Sequence, residues 1–129
     1  NLKKKVDAGC EFLTTQMFFD NDIHYNFLYR IREAGINVPV LPGIMPMTSE
    51  KQMKRSQELS GTVFPRRFLA LLDRFGSSAA AMEQAGIAYA TDQIIDLLSN
   101  GVNNIHIYTM NKPHVAAAIM NNLSEIIKA

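Results

Sequence analysis

Three short apolar runs, each followed by a stretch with helical spacing, limit the fold of this chain most sharply. The first, Glu11 to Phe19 (EFLTTQMFF), is rich in aromatic and β-branched residues and apolar almost throughout, as expected of a strand covered on both faces. Asp20-Asn21-Asp22 then offers capping oxygens, and Ile23, Phe27, Leu28 and Ile31 recur at helical spacing until Gly35, with Arg30 and Arg32 placed to complement the helix dipole. The second run, Asn37 to Gly43, is short, carries Pro39 and stops at Pro42-Gly43. The third, Asn104 to Tyr108 (NIHIY), alternates like a strand. Asn111-Lys112-Pro113 after it opens a final helix with Val115, Ile119, Leu123 and Ile126 facing inward.

Between the second and third runs the pattern is helical throughout. Ser49-Glu50-Lys51-Gln52 fits a capping box, and the helix it opens has a thin apolar stripe (Met53, Leu59) before Gly61. Phe64-Pro65 starts the next, with Phe68, Leu69, Leu72 and Phe75 on one side. Ser77-Ser78 caps a long one through Met82, Tyr89, Ile94 and Leu98 to Gly101. Gly86 inside it costs about 1 kcal/mol against Ala, which predicts close packing there. Ahead of the first strand, Asn1 to Gly9 reads as a helix running into a glycine stop without a cap or an initiator Met, so the chain looks cut from something longer.

Strand-helix alternation of this kind makes a parallel sheet with right-handed crossovers. Three parallel strands alone leave long edges unpaired, a liability that complete proteins remove by closing the sheet. The expected fold is therefore α/β: the C-terminal portion of a (β/α)8 TIM barrel, about three βα units plus inserted helices, occupying residues 1–129 as one partial barrel. A truncated flavodoxin-like sheet is the second choice.

Composition narrows the functional classes. With 13 Lys+Arg against 12 Asp+Glu the net charge is +1, so nothing global draws the chain to nucleic acid or an anionic membrane. The single cysteine, Cys10, cannot form an internal disulfide, and no Cys/His cluster has zinc spacing, which points to a reducing compartment and no structural metal. No run of 18 apolar residues and no secretory pattern is present, so a cytoplasmic protein is expected.

In a barrel, chemistry sits where strands end. Those positions hold Gln16; then Pro42-Gly43, Met45, Met47 and Gln52; then Tyr108, Thr109, Asn111 and Lys112. Amides, hydroxyls and one cation, with no carboxylate pair and no Ser/His/Asp or Cys/His set, suit gripping a polar heteroaromatic ligand better than cleaving a bond. Gln16 reads as a ligand grip or a satisfied core amide. Met45, Met47 and Met53 read as an adaptable wall or as gap-fillers. His106, facing opposite to Ile105 and Ile107, reads as a packed, hydrogen-bonded ring, His24 and His114 as surface residues, and Cys10 as structural. Lys3-Lys4-Lys5 is a solvated helix-end face or a phosphate contact.

Lys5-Val6-Asp7-Ala8-Gly9, Thr15 to Asp20 (TQMFFD), Ala34-Gly35-Ile36, Pro42 to Pro46 (PGIMP) and His106 to Lys112 (HIYTMNK) together resemble bacterial methylenetetrahydrofolate reductase, in order across nearly the whole chain. The resemblance implies a (β/α)8 flavoprotein in which NAD(P)H reduces FAD and the flavin reduces 5,10-methylenetetrahydrofolate to 5-methyltetrahydrofolate, in one-carbon metabolism leading to methionine. It implies that Gln16 grips the folate pterin and meets the nicotinamide, that Gln52, Tyr108 and Lys112 contact substrate, and that Asn1, Lys4 and Lys5 hold the extended part of FAD. A homo-oligomer and a missing N-terminal half-barrel are further implied partners. Two departures bear on substrate affinity: Ser56 stands where an aromatic is common, and Lys112 where Arg is usual, which keeps charge but loses a bidentate fork. The family's general-acid glutamate and its aspartate beside the flavin belong to the N-terminal half, so this polypeptide alone is expected to be inactive. The alternative is a non-catalytic half-barrel module that self-associates through open sheet edges.

Overall fold

The computed structural model describes Gly9, residues 11–108 and residues 112–129. The expected N-terminal helix, Cys10, and the site candidates Asn1, Lys4, Lys5, Thr109 and Asn111 lie outside the described residues. Three strands, β1 (Leu13–Met17), β2 (Val40–Ile44) and β3 (His106–Ile107), form one sheet in the order β1-β2-β3. Both pairings are parallel, Leu13 lying opposite Val40 and Gly43 opposite His106. One helix, α1 (Asn21–Glu33), connects β1 to β2. Three helices, α2 (Glu50–Ser60), α3 (Arg66–Phe75) and α4 (Ala79–Ser99), connect β2 to β3, and α5 (Pro113–Asn122) follows. The fold is α/β with a parallel sheet.

The helix boundaries fall where capping chemistry puts them. Asp20 accepts the amide of Asp22 at the start of α1, Ser49 that of Gln52 at the start of α2, and Ser78 that of Ala81 at the start of α4. Gly61, in the left-handed region at φ 65°, ends α2, and Pro113 occupies the first turn of α5. Against the sheet, Phe18 and Ile44 meet Ala90, Ile94 and Leu97 of α4 and Val115, Ile119 and Leu123 around α5. A second core gathers Phe19, Phe64, Phe68 and Met82 around Met45, Met47 and Met53. These methionines are buried, so they fill the core rather than line a ligand wall.

Several expectations are corrected. β1 is not covered on both faces: Thr14 and Gln16 are exposed while Leu13, Thr15 and Met17 are half-buried, because alternate residues point to opposite faces and no described element covers the face that Thr14 and Gln16 share. His24 is not a surface residue. α1 turns its His24-Leu28-Ile31 stripe inward, leaving Ile23 49% exposed, and the His24 ring lies parallel on Phe18 at 5.0 Å. His106 is not buried and has no hydrogen bond among the described residues: it sits exposed on an edge strand, its one ring contact there being edge-on to Tyr108. Leu69, Phe75 and Ile126 are exposed as well, Ile126 because α5 ends before it. His114, as expected, is at the surface, 3.4 Å from Glu83. Close packing at Gly86 is also observed: a Cβ there would overlap the Met47 carbonyl oxygen.

Candidate functional site

Parallel pairing brings the carboxyl ends of all three strands to one side, and the side chains just beyond them tie those ends together. The Tyr108 amide donates to the Ile44 carbonyl at 2.9 Å, continuing the pairing of β3 beyond its last residue. Its ring covers Gly43, where a Cβ would lie 2.6 Å from the ring edge, and its hydroxyl donates to the Thr15 carbonyl at 3.1 Å. The Gly43 amide in turn donates to the Thr15 hydroxyl at 2.9 Å. β3, β2 and β1 are thus cross-tied around one glycine, which is the only residue type that leaves room for the ring. Gln16 follows directly, exposed, its amide without a hydrogen-bond partner among the described residues.

A second knot lies where β2 runs into α2. The Gln52 Oε1 accepts from the Thr48 amide at 2.9 Å and from the Thr48 hydroxyl at 3.2 Å. The sequence suggested a capping box; the glutamine reaches one residue further back than that motif requires, while Ser49 still caps the Gln52 amide at 3.1 Å. Lys112, 64 residues away in sequence, donates to the same Thr48 hydroxyl at 3.0 Å. Of the expected substrate residues, Gln52 and Lys112 are therefore brought together through Thr48, and Tyr108 is held beside Gln16 through Thr15. Sequence reading missed both threonines. The signal for Thr48 is its place just before a capped helix whose third residue is a glutamine.

A separate cleft of about 460 Å³ opens on the flank between α1, α3 and α4, lined among others by Asp20, Arg67, Tyr89, Asp92 and Asp96. Its carboxylates have local tasks. Asp20 caps α1, Asp92 pairs with Arg67 at 2.8 Å, and Asp96 accepts from Asn21 and Tyr25, bonds that hold its pKa below the ordinary value. Tyr89 donates to the Phe19 carbonyl at 2.6 Å, and burial pushes its pKa up to about 12. These pairings fix the walls of the cleft. Among the described residues no group of three metal-ligating side chains is found, and no helix is long and apolar enough to cross a membrane.

Parallel βα units whose strand ends gather amide, hydroxyl and ammonium groups define the ligand-binding architecture of α/β enzymes. The sequence model of methylenetetrahydrofolate reductase matches residues 1–124, and the chain belongs to this oxidoreductase family. It is 38% identical over 125 residues to Methylenetetrahydrofolate reductase (NADH) 1 of Arabidopsis thaliana, covering 97% of this chain and 21% of that protein. It is 34% identical over 123 residues to 5,10-methylenetetrahydrofolate reductase of Escherichia coli K12, covering 95% of this chain and 42% of that protein. The chain thus spans less than half the length of these curated relatives. A solved structure of a Clostridium thermocellum protein, described as binding two copies of 5-methyl-5,6,7,8-tetrahydrofolic acid, shares the fold at a TM-score of 0.58 and 18% identity, over 97% of this chain and 47% of that one.

Proposed function

We propose that this chain is the substrate-gripping part of a flavin-dependent methylenetetrahydrofolate reductase, which reduces 5,10-methylenetetrahydrofolate to 5-methyltetrahydrofolate with NAD(P)H through FAD. The observation that carries the reading is the joining of Gln52 and Lys112 by Thr48 beside strand ends cross-tied by Tyr108, since residues far apart in sequence meet at the one place where a βα fold presents ligands. In this reading Gln16 offers its exposed amide to the pterin edge and to the nicotinamide, and Lys112 offers charge to the acidic tail of folate.

FAD, when bound, supplies the hydride. At Gly43 the space of a side chain is filled by Tyr108, so this glycine leaves no gap for a phosphate group. Holding the extended part of FAD falls in this proposal to Asn1, Lys4 and Lys5. Among the described residues β1 and β3 each pair on one side only, and the reading places the rest of a (β/α)8 barrel against those edges. The same edges support the alternative of a self-associating module without flavin.

The test is made on the full-length protein. A bound-flavin absorbance spectrum together with folate-dependent NAD(P)H oxidation is expected. A colourless protein that forms oligomers and turns over neither substrate refutes the reductase reading and favours the alternative.

A further inference from the structure

Gln16 stands at a β-bulge. From Thr14 to Met17 β1 advances three residues while β2 advances two, from Leu41 to Gly43, so β1 carries one residue more than its partner at this point. The Thr15 side chain bridges the break. Its hydroxyl accepts from the Gly43 amide at 2.9 Å, a group that can only donate, and gives its own proton to the Gln16 carbonyl at 2.9 Å. On the other side of Gln16, the Thr15 carbonyl accepts from the Tyr108 hydroxyl at 3.1 Å. The two peptide planes that meet at the Gln16 Cα are therefore each held by a hydroxyl group, and turning about either backbone bond of Gln16 strains one of these hydrogen bonds. Those two torsions decide which side-chain rotamers are open to the residue. The result is an exposed amide on a fixed stem, fastened through Thr15 to β2 and, through Tyr108, to the end of β3.

We infer that Thr15 is a positioning residue whose hydroxyl and carbonyl together set the direction in which the Gln16 amide meets its ligand. The inference rests on the substrate-gripping reading above and deepens it by naming what aims the grip. A glutamine on a loose strand end loses backbone as well as side-chain freedom when it binds. With the stem already fixed only the side chain has to settle, so more of its hydrogen bonding appears as affinity and alignment. Threonine suits the position because a β-branched side chain is stiff at χ1 and favours a strand, which keeps the hydroxyl between β1 and β2.

Double-mutant cycles on the full-length protein, read as kcat/KM for the folate, test this. Thr15→Val deletes the hydroxyl and keeps the branched shape, while Thr15→Ser keeps the hydroxyl. kcat/KM is expected to fall about tenfold in Thr15→Val and to stay within about twofold of wild type in Thr15→Ser. In a Gln16→Ala background, Thr15→Val is expected to cost less than about twofold, since no amide is left to aim. Tyr108→Phe releases the Thr15 carbonyl and is expected to show the same dependence on Gln16, which decides the matter should Thr15→Val not fold. Losses that are equal with and without Gln16 overturn the inference, because the bonds would then serve only to hold the strand ends. Wild-type turnover in Thr15→Val overturns it too. A wild type that does not turn over the folate, or full turnover in Gln16→Ala, brings down the reading of the site itself, and this inference with it.

Discussion

The Tyr108 hydroxyl and the Thr15 carbonyl, 93 residues apart, are joined by a hydrogen bond that passes over Gly43. It fastens the two outer strands to each other across the middle one. Tyr108→Phe deletes the bond and leaves the ring, so the full-length protein is expected to lose about 1 kcal/mol in denaturant unfolding. An unchanged midpoint would show that the bond contributes nothing to holding the strand ends.

Gly43→Ala attacks the same tie from below. Its methyl would meet the Tyr108 ring at 2.6 Å and the Thr15 carbonyl at 2.8 Å, and the second contact is backbone that cannot swing aside. The expected cost is about 1–3 kcal/mol, with a weaker grip on substrate because Tyr108 is displaced. Melting temperature and KM, measured on one preparation, check both parts.

At Gly86 two effects have opposite signs. Alanine improves the helix by about 1 kcal/mol, but its methyl would overlap the Met47 carbonyl oxygen, again backbone. Overpacking wins, and Gly86→Ala is expected to lower stability by about 1–3 kcal/mol. A more stable variant would mean that α4 and the Met47-Thr48 segment do not touch as described.

The His24 ring is buried on Phe18 with neither nitrogen hydrogen-bonded among the described residues, and burial holds its pKa below 6.5. On acidification the unfolded state, titrating near 6.5, takes up the proton first. The stability contributed by the neutral ring is therefore complete above that pH, and falls as pH drops from there through the folded value. Urea midpoints compared between about pH 8 and about pH 5 are expected to drop more steeply in wild type than in His24→Leu. The variant is also expected to gain about 1 kcal/mol at neutral pH by removing two unpaired nitrogens. Identical pH slopes would contradict the burial of the ring.

Gln16 is the opposite case, exposed and unpartnered among the described residues. Gln16→Ala is expected to change stability by less than about 0.5 kcal/mol, yet to lower kcat/KM for the folate by about 1–3 kcal/mol of transition-state binding. Full turnover in the variant would remove Gln16 from the site.

What could be read in the sequence was what local chemistry decides. Caps at Asp20, Ser49 and Ser78, the stop at Gly61 and the proline at the start of α5 placed the helices, because each is settled within four residues. The parallel order of the strands followed from their alternation with helices. Which face of α1 turns inward did not. Ile23 is the more apolar candidate, but the stripe through Leu28 and Ile31 includes His24, and packing on Phe18 overrides the preference of a single residue. The threonines escaped notice for another reason: Thr15 and Thr48 bind partners 28 and 64 residues away, and nothing in a local window reports such a bond.

β3 is two residues long, His106–Ile107, with the Tyr108 amide adding one more bond to β2, yet both Tyr108 and Lys112 hang from its end. Any fluctuation that peels so brief a strand away takes both anchoring groups with it. A bound substrate touching either one would act as a rivet, so slower amide hydrogen exchange around residues 106–108 is expected to accompany saturation.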